Sequence, residues 1–458
     1  MMKSENTDIV IIGAGLTGLT LAYYLKKNGR RPLVLEKAAR PGGVIQTHGE
    51  QGFIYESGPN TGVLSNKETA LLFEELSSRC TLATGNSGAK KRYILKNGRW
   101  QALPSGLISA VTTPLFTLKD KFRILGEPFR KPGSDPDESV ADLVKRRLGR
   151  SFLDYAVDPF ISGIYAGDPS QLVTRYALPK LYALEQNYGS FIRGAVKKSR
   201  EFRSEEEKKA TKEVFSARGG LGSLIAALEK ETGSERIWCG VTGLKTGKTG
   251  NGFSVSFTDS GGREHDLECP ALVSTVGGYC LPEILTFLAP SDLAPLLRLE
   301  YAGVVQVAAG YKKWNGVPLD AFGGLVPSAE KRQILGILFP SAIFEGRAPE
   351  GGALLSVFLG GTRNRELLFR SDDEIMKIVL EEITLTLNAG DAPDLLKILR
   401  YEKAIPQYVI STGERLECIK GLEAKYPGLI LAGNIRDGIG MADRVKQAKN
   451  IADMLTAS

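Results

Sequence analysis

The stretch DIVIIGAGLTGLTLAYYLKKNGRRPLVLE, residues 8–36, decides the fold. An apolar strand leads into Gly13, Gly15 and Gly18, which stand in G-x-G-x-x-G spacing. An amphipathic helix follows and stops at a glycine, and a second apolar strand ends at Glu36. Strand, glycine turn, helix and strand in this order predict an α/β, Rossmann-like domain that binds a dinucleotide.

Each part of this unit has a physical reason. Gly13 permits the tight turn, Gly15 lets a pyrophosphate approach the backbone, and Gly18 lets the helix lie close to the sheet. Free N–H groups at the start of the helix hold the phosphates. Glu36 is placed to accept hydrogen bonds from the ribose hydroxyls, and its charge disfavours the 2′-phosphate of NADP. The predicted cofactor-binding residues here are Gly13, Ala14, Gly15, Leu16, Thr17, Gly18, Glu36 and Lys37.

The segment after Glu36 favours a longer cofactor than NAD. RPGGVIQT (40–47) and GFIYESGPNT (52–61) contain glycines and a turn where a plain NAD domain would place its next helix. A cofactor that extends past the pyrophosphate would use Gly42, Gly43 and Val44 for close backbone approach. This arrangement resembles the superfamily of FAD-containing amine oxidases and porphyrinogen oxidases. Amine oxidases usually carry arginine after the glycine pair, so Val44 speaks against that branch.

Further stretches narrow the resemblance to the oxygen-dependent protoporphyrinogen oxidases. The most specific is FISGIYAGDPSQLVTRYALPKLYALEQNYGSFIRG (160–194). The others, in chain order, are GPNT (58–61), RYILKNGRWQALPSGL (92–107), FGGLVPSAE (322–330), LGILFPSAIFEGRAPEG (335–351), AIPQYVISTGERL (404–416) and LAGNIRDGIGMAD (431–443).

The resemblance implies an architecture of three parts. An FAD domain of the GR2 type is assembled from residues 1–88, 214–285 and 412–458. A mixed α+β substrate domain takes residues 89–109 and 286–411. A helical domain, the natural membrane-contacting part in such proteins, covers residues 110–213.

The resemblance also implies FAD as the cofactor and adds binding residues. The last helix is expected to direct its N-terminus at the flavin ring, where unpaired N–H groups and the helix dipole stabilise the negative charge of the reduced flavin. The added residues are Gly58, Pro59, Asn60, Thr61, the backbone of Val241, Asn434, Gly438, Ile439, Gly440 and Met441.

The implied reaction is the six-electron oxidation of protoporphyrinogen IX to protoporphyrin IX in heme biosynthesis. Hydride passes repeatedly to flavin N5, and O2 is the acceptor and gives H2O2. Hydride transfer depends on orientation and on exclusion of water more than on a strong base. This chemistry suits a chain with two histidines, and no acid or base is assigned.

The substrate of such an enzyme is a wide apolar disc with carboxylate arms. The resemblance implies that Arg92 pairs with a propionate, that Phe322, Leu325 and Phe358 hold the rings, and that Gly167 lets backbone approach the substrate. The alternative for the neighbouring Asp168 is that it caps a helix.

Three alternatives stay open. Coproporphyrinogen III oxidase shares the mechanism, but its substrate has four propionates and needs more cations, for which Lys90 and Lys91 are candidates. An amine or carotenoid oxidoreductase is disfavoured by Val44. A non-catalytic flavoprotein scaffold would have lost the substrate-pocket residues.

Composition excludes several other classes. The 458 residues contain 59 Lys and Arg against 52 Asp and Glu, and no basic stripe indicates nucleic acid. Five scattered cysteines predict a reducing, cytoplasmic location, and no metal-ligand spacing occurs. Peripheral contact with the inner membrane, a homodimer and handover to the next heme-pathway enzyme are left open.

Overall fold

The computed structural model describes residues 7–104, 106, 109, 112–202 and 204–457. Residues 105 and 107 of the stretch 92–107, residue 108, and the first two residues of the predicted helical domain lie outside the described residues. The architecture is mixed α/β, as the sequence predicts.

A five-stranded parallel sheet combines the start, the middle and the end of the chain. Its strands are, from edge to edge, Ile237–Trp238, Pro32–Leu35, Ile9–Ile12, Ala271–Ser274 and Leu429–Leu431. The central strand is buried at every position because both faces are covered, as is usual for parallel sheets. The helices Leu16–Lys27, Lys67–Glu75, Gly222–Thr232 and Met441–Ala457 contribute to the core on one face, and Pro290–Leu297 and Thr412–Lys425 contribute to the core on the other.

Smaller antiparallel units surround this sheet. Two three-stranded sheets are formed by Thr242–Lys248, Phe253–Thr258 and Glu264–Cys269, and by Gly62–Val63, Leu82–Thr84 and Val214–Ala217; Gln46–Glu50 pairs with Phe53–Ser57. The strand Glu264–Cys269 was not expected from the sequence, because its alternating exposed residues are mostly charged. It pairs along its whole length with the preceding strand.

A second large sheet has seven strands. In spatial order they are Leu395–Pro406, Tyr301–Tyr311, Ala353–Gly360, Ile334–Leu338, Ala321–Leu325, Lys91–Lys96 and Arg99–Ala102. Helix Asp372–Leu387 covers one face. The other face points toward the GPNT segment and toward the helices between residues 112 and 208. The short helices Leu281–Ile284 and Pro340–Ile343 lie in loops that connect strands.

Most of the remaining helices lie between residues 112 and 208. They are Leu118–Leu125, Val140–Arg147, Arg150–Phe152, the π-turn Leu153–Val157, Asp158–Tyr165, Thr174–Ala177, Pro179–Tyr188, Phe191–Ser199 and Glu205–Lys208. A buried ion-pair group holds this segment together: Arg147 contacts Glu127 at 3.0 Å and Glu185 at 2.5 Å. Replacement of Arg147 by an uncharged residue would leave the buried Glu127 carboxylate without a cationic partner, which is strongly destabilising.

Neither a membrane-spanning helix nor a metal-ligand cluster is found among the described residues. No helix in ranges 7–104 to 204–457 is both long and apolar enough to cross a membrane. No group of three His, Cys, Asp or Glu side chains in the same ranges is arranged to hold a metal ion.

Candidate cofactor and substrate site

The glycine turn after the first strand has the geometry of a phosphate cradle. Gly13 has φ +100°, a conformation that other residues rarely adopt. A Cβ at Gly18 would overlap the carbonyl oxygen of Gly13, so the helix packs directly on the turn. At Gly15 a Cβ would meet nothing within 4 Å, and this residue caps Leu16–Lys27 without a side-chain hydrogen bond. The open space and the uncapped helix start suit an anion.

Glu36 lies next to this turn, at the end of the neighbouring strand. Its carboxylate accepts a hydrogen bond from the Ala14 N–H at 2.7 Å and one from the Ala38 N–H at 2.8 Å. Each oxygen retains a second acceptor site for a ribose hydroxyl. The Val241 N–H donates to the Glu36 carbonyl at 3.0 Å, which brings these separately predicted residues together. Lys37 is exposed beside them.

The second glycine pair packs against the first turn. The Gly42 N–H donates to the carbonyl of Ala14 at 2.7 Å, and a Cβ at Gly43 would lie 3.4 Å from the Gly15 Cα. Val44 follows and is 59% exposed, which is unusual for a large apolar side chain between buried elements. A Cβ at Gly58 would overlap the Val44 carbonyl oxygen, so both segments form one wall.

The GPNT segment is fixed by side chains of the seven-stranded sheet. Gln306, only 1% exposed, accepts from the Gly58 N–H at 3.2 Å and donates to the Glu56 carbonyl at 2.8 Å. Ser356 donates to Asn60 at 2.8 Å. Sequence analysis missed Gln306 and Ser356, although a polar residue inside an apolar strand is a usable signal.

The last helix begins at a turn held by its own side chains. The Gly433 N–H donates to Gln447 at 2.8 Å, and the Gly440 N–H donates to Asp443 at 3.2 Å. The expectation that the N–H groups at this helix start are unpaired is therefore wrong for Gly440, because an acidic residue in the first turn caps it. Asn434 and Ile439 are half-buried in this turn, and Met441 is buried.

Two buried guanidinium groups lie near the same turn. Arg415 donates to the Ile435 carbonyl at 3.0 Å, and Arg444 donates to the Gly438 carbonyl at 2.9 Å. Burial lowers the pKa of both, and in the described part of the chain neither forms an ion pair with a carboxylate. Arg415 Nη1 and Arg444 Nε have no hydrogen-bond partner there. Because buried charges are nearly always paired, this end of the site suits an anionic cofactor.

Three of the predicted substrate residues, Arg92, Leu325 and Phe358, lie on one face of the seven-stranded sheet. Ser356, Leu338, Gly323 and Arg92 follow one another across four strands in register. The next row on this face contains Phe358, Gly336 and Leu325. Gly336, which lies between Phe358 and Leu325 in this row, has no side chain. Leu325 extends toward helix Asp158–Tyr165, where a Cβ at Gly163 would lie 2.5 Å from its side chain.

Arg92 is an exposed cation at one end of this face. Its guanidinium carbon lies 5.6 Å from the ring centroid of Phe322, a cation–π arrangement. Among the described residues it forms no ion pair, whereas Lys91 pairs with Asp320 at 2.5 Å. Lys90 is exposed. Arg92 is thus available for a ligand carboxylate, and Lys91 is engaged.

Gly167 and Asp168 make contacts that differ from the simple expectation. A Cβ at Gly167 would lie 2.5 Å from the Gln407 side chain, so the close approach is made by a protein group. Its substrate contact stays a prediction. Asp168 accepts from the Ser170 N–H at 2.8 Å within a turn, and it forms an ion pair with Arg363 at 2.9 Å. The structure therefore gives Asp168 a turn-capping role in place of a helix cap.

The fold and this geometry define an oxidoreductase that binds a dinucleotide cofactor, with a second large sheet packed against the loops that follow the first glycine turn. The sequence profile of flavin containing amine oxidoreductases matches residues 16–454, and the chain belongs to that family. FAD is accordingly its cofactor, and the cradle described above fits FAD.

Individual relatives agree with this placement. The chain is 30% identical to mitochondrial protoporphyrinogen oxidase of Nicotiana tabacum, over 99% of this chain and 95% of the relative. It is 28% identical to coproporphyrinogen III oxidase of Bacillus subtilis, over 99% of both. A crystal structure of a candidate protoporphyrinogen oxidase from Exiguobacterium sp. 255-15 superposes with a TM-score of 0.81 at 23% identity, covering 99% of this chain and 100% of that chain. The resemblance drawn from the sequence is confirmed.

Proposed function

We propose that this protein oxidises protoporphyrinogen IX to protoporphyrin IX, removing six electrons in three two-electron steps with O2 as the final acceptor. The names of relatives at about 30% identity support this reaction. The observation that carries it is the position of Arg92, which forms no ion pair among the described residues and lies at one end of the sheet face whose Ser356 contacts the GPNT loop. A disc-shaped molecule with carboxylates at one edge is complementary to that surface.

FAD, when bound, supplies the hydride acceptor. The glycine turns at residues 13–18 and 42–44 and Glu36 hold it. Gln306 and Ser356 fix the GPNT loop to the sheet, and therefore fix the cofactor relative to the substrate face. Arg92 binds a propionate through its planar pair of N–H donors. Phe322, Leu325 and Phe358 contact the rings and exclude water, which favours transfer from a precisely oriented carbon.

Neither histidine is placed to act on the substrate. His48 contacts Ser57 at 3.0 Å, and His265 contacts Asp259 at 2.8 Å. Both belong to small antiparallel units outside the substrate face. The reaction depends on the orientation of the substrate and on the exclusion of water, and no residue is assigned as an acid or a base.

The test is an aerobic assay of porphyrin fluorescence with protoporphyrinogen IX and coproporphyrinogen III in parallel. We expect oxidation of protoporphyrinogen IX with H2O2 formation. Activity on neither substrate by the FAD-loaded protein would overturn the proposal and favour the scaffold alternative. The Bacillus subtilis relative makes coproporphyrinogen III the second candidate.

We also propose peripheral membrane contact through the helix Leu118–Leu125. Leu118, Phe122 and Leu125 are each 71% exposed, and Phe129 just after the helix is 83% exposed. Exposed large apolar side chains on one amphipathic helix are typical of interfacial binding. Contact with a membrane through this helix would help an apolar porphyrin product to leave the enzyme.

Sedimentation with anionic phospholipid vesicles tests this contact. Phe122→Ser is expected to reduce binding, and Leu385→Ser, a similarly exposed position on helix Asp372–Leu387, is the matched control. Equal binding by both variants would contradict the proposal. A homodimer and handover to the next heme-pathway enzyme stay predictions.

A further inference from the structure

The substrate face has a second end, opposite Arg92. Arg92 lies in the cross-strand row of Ser356, and Gly360 ends the same strand four residues further on. Along the strand this is roughly 13 Å at about 3.3 Å per residue, and the three strand spacings between Arg92 and Ser356 add roughly 14 Å across the sheet, so the two ends are about 20 Å apart in the backbone. The long Arg92 side chain and a tetrapyrrole with its propionate arms together span a distance of this order. A cavity of about 40 Å³ lies there, lined by residues that include Ala166, Leu335 and Arg363.

The cation at this second end is already neutralised. Arg363 contacts Asp158 through Nη1 at 2.6 Å and Asp168 through Nε and Nη2, both at 2.9 Å. One guanidinium thus faces two carboxylates. Arg332, which also lines the cavity, pairs with Glu382 at 2.9 Å.

Asp168 is ionised at neutral pH. Burial opposes its ionisation, but hydrogen bonds from Arg363 and Ser170 outweigh burial and lower its pKa to about 2. The group formed by Asp158, Asp168 and Arg363 therefore carries a net charge of about −1, since two negative charges face one positive charge.

We propose that Asp158 and Asp168 make Arg363 a specificity-determining group that rejects a substrate carboxylate at this end of the slot. This inference rests on the proposed function. A porphyrinogen with propionates at one edge places them at Arg92 and its apolar edge at Arg363. A porphyrinogen with four propionates would place two of its carboxylates against a group of net negative charge. The Nε, Nη1 and Nη2 atoms of Arg363 already donate to Asp158 and Asp168. The enzyme therefore prefers two-propionate over four-propionate porphyrinogens.

Asp168→Asn tests the inference because it removes one negative charge and releases one Arg363 donor, while the asparagine carbonyl oxygen can still accept from the other. We expect kcat/KM for coproporphyrinogen III relative to protoporphyrinogen IX to rise by about tenfold or more, as expected when one charged hydrogen bond becomes available. The rise should come from a lower KM for coproporphyrinogen III and leave its kcat little changed. The fluorescent product coproporphyrin III should also bind the resting FAD-loaded variant more tightly, whereas protoporphyrin IX should not.

Three further variants isolate the charge. Ser170→Ala removes a hydroxyl that donates to the same carboxylate at 2.7 Å and keeps the charge, so the substrate ratio should stay at the wild-type value. Adding Arg363→Gln to Asp168→Asn should abolish the gain. Asp158→Asn should also raise kcat/KM for coproporphyrinogen III relative to protoporphyrinogen IX. This variant replaces Asp168→Asn in the test if Asp168→Asn does not fold.

The outcomes separate the two proposals. If the wild type oxidises protoporphyrinogen IX and the folded Asp168→Asn and Asp158→Asn variants keep its substrate ratio and its coproporphyrin III affinity, this inference is overturned and the proposed function stands. If the wild type oxidises neither porphyrinogen, both fall.

Discussion

Arg444 Nη2 donates a hydrogen bond to the carbonyl oxygen of Gly438 at 2.9 Å. The guanidinium is only 8% exposed, and its Nη1 contacts Gln447 at 3.2 Å. Gln447 in turn accepts from the Gly433 N–H and donates to Asp437. A buried charge on the last helix thus helps to hold the turn that precedes it, together with Gln447 and Asp443. This turn is the part of the chain expected to contact the flavin ring.

Arg444→Met should weaken FAD binding. Loss of a charged hydrogen bond costs about 1.5–3 kcal/mol, or roughly ten- to a hundredfold in an equilibrium constant. Titration of the apoprotein with FAD measures this change through flavin fluorescence. Lys446→Met, on the exposed side of the same helix, is the control and should bind FAD as the wild type does. Similar affinities for the two variants would show that Arg444 does not shape the cofactor turn.

Gln306→Leu should reduce the stability of the protein as well as its retention of FAD. The side chain is buried, and its replacement leaves the Gly58 N–H and the Glu56 carbonyl without a partner. Each unsatisfied buried group costs about 1–3 kcal/mol. Urea unfolding followed by circular dichroism measures the loss. Gln333→Leu changes an exposed glutamine of the same domain and should be nearly neutral; an equal loss in both variants would argue against the role of Gln306.

Arg92→Ala should raise KM for protoporphyrinogen IX by about ten- to a hundredfold, because a charged hydrogen bond to substrate is lost. FAD should remain bound, since Arg92 contacts none of the cofactor loops. Steady-state kinetics together with the flavin absorbance of the purified variant provide the measurement. Arg99→Ala removes an exposed arginine on the adjoining strand and should leave KM unchanged. Wild-type KM in Arg92→Ala would remove this residue from the site.

The ion pair of Asp168 with Arg363 should contribute stability in a pH-dependent way. The pKa of Asp168 is lowered from 3.8 to about 2, so its contribution is fully present above pH 4 and is lost as the pH falls through about 2. The difference in unfolding free energy between wild type and Asp168→Asn should therefore be largest at pH 5, at up to about 2 kcal/mol, and should shrink toward pH 2. Urea unfolding at several pH values tests this. A difference that does not vary with pH would mean that the carboxylate charge is not involved.

The geometry of the first glycine turn could be predicted because its signals are local. The turn at Gly13, the helix start at Leu16 and the acid at Glu36 lie within one short unit, and each glycine has a steric reason that the sequence alone exposes. The strand Glu264–Cys269 could not be predicted in the same way, because its exposed residues are charged and its pairing partner is not evident from the local pattern.

The contacts between distant segments could not be predicted because they depend on pairing between residues far apart in the chain. Gln306 meets Gly58 across 248 positions, and Asp168 meets Arg363 across 195. No local pattern specifies such partners. Gln306 and Ser356 were missed from the sequence; their position as polar residues within apolar strands is a usable signal of a special role, but only the register of the seven-stranded sheet shows which groups they contact.

The most direct test of the central claim is anaerobic mixing of the FAD-loaded protein with protoporphyrinogen IX. If the substrate binds on the face between Arg92 and Arg363 and transfers hydride to the cofactor, the oxidised flavin absorbance should disappear at a rate that saturates with substrate concentration. It should reappear when O2 is admitted, and porphyrin fluorescence should accumulate. A flavin that stays oxidised at saturating protoporphyrinogen IX would contradict the account.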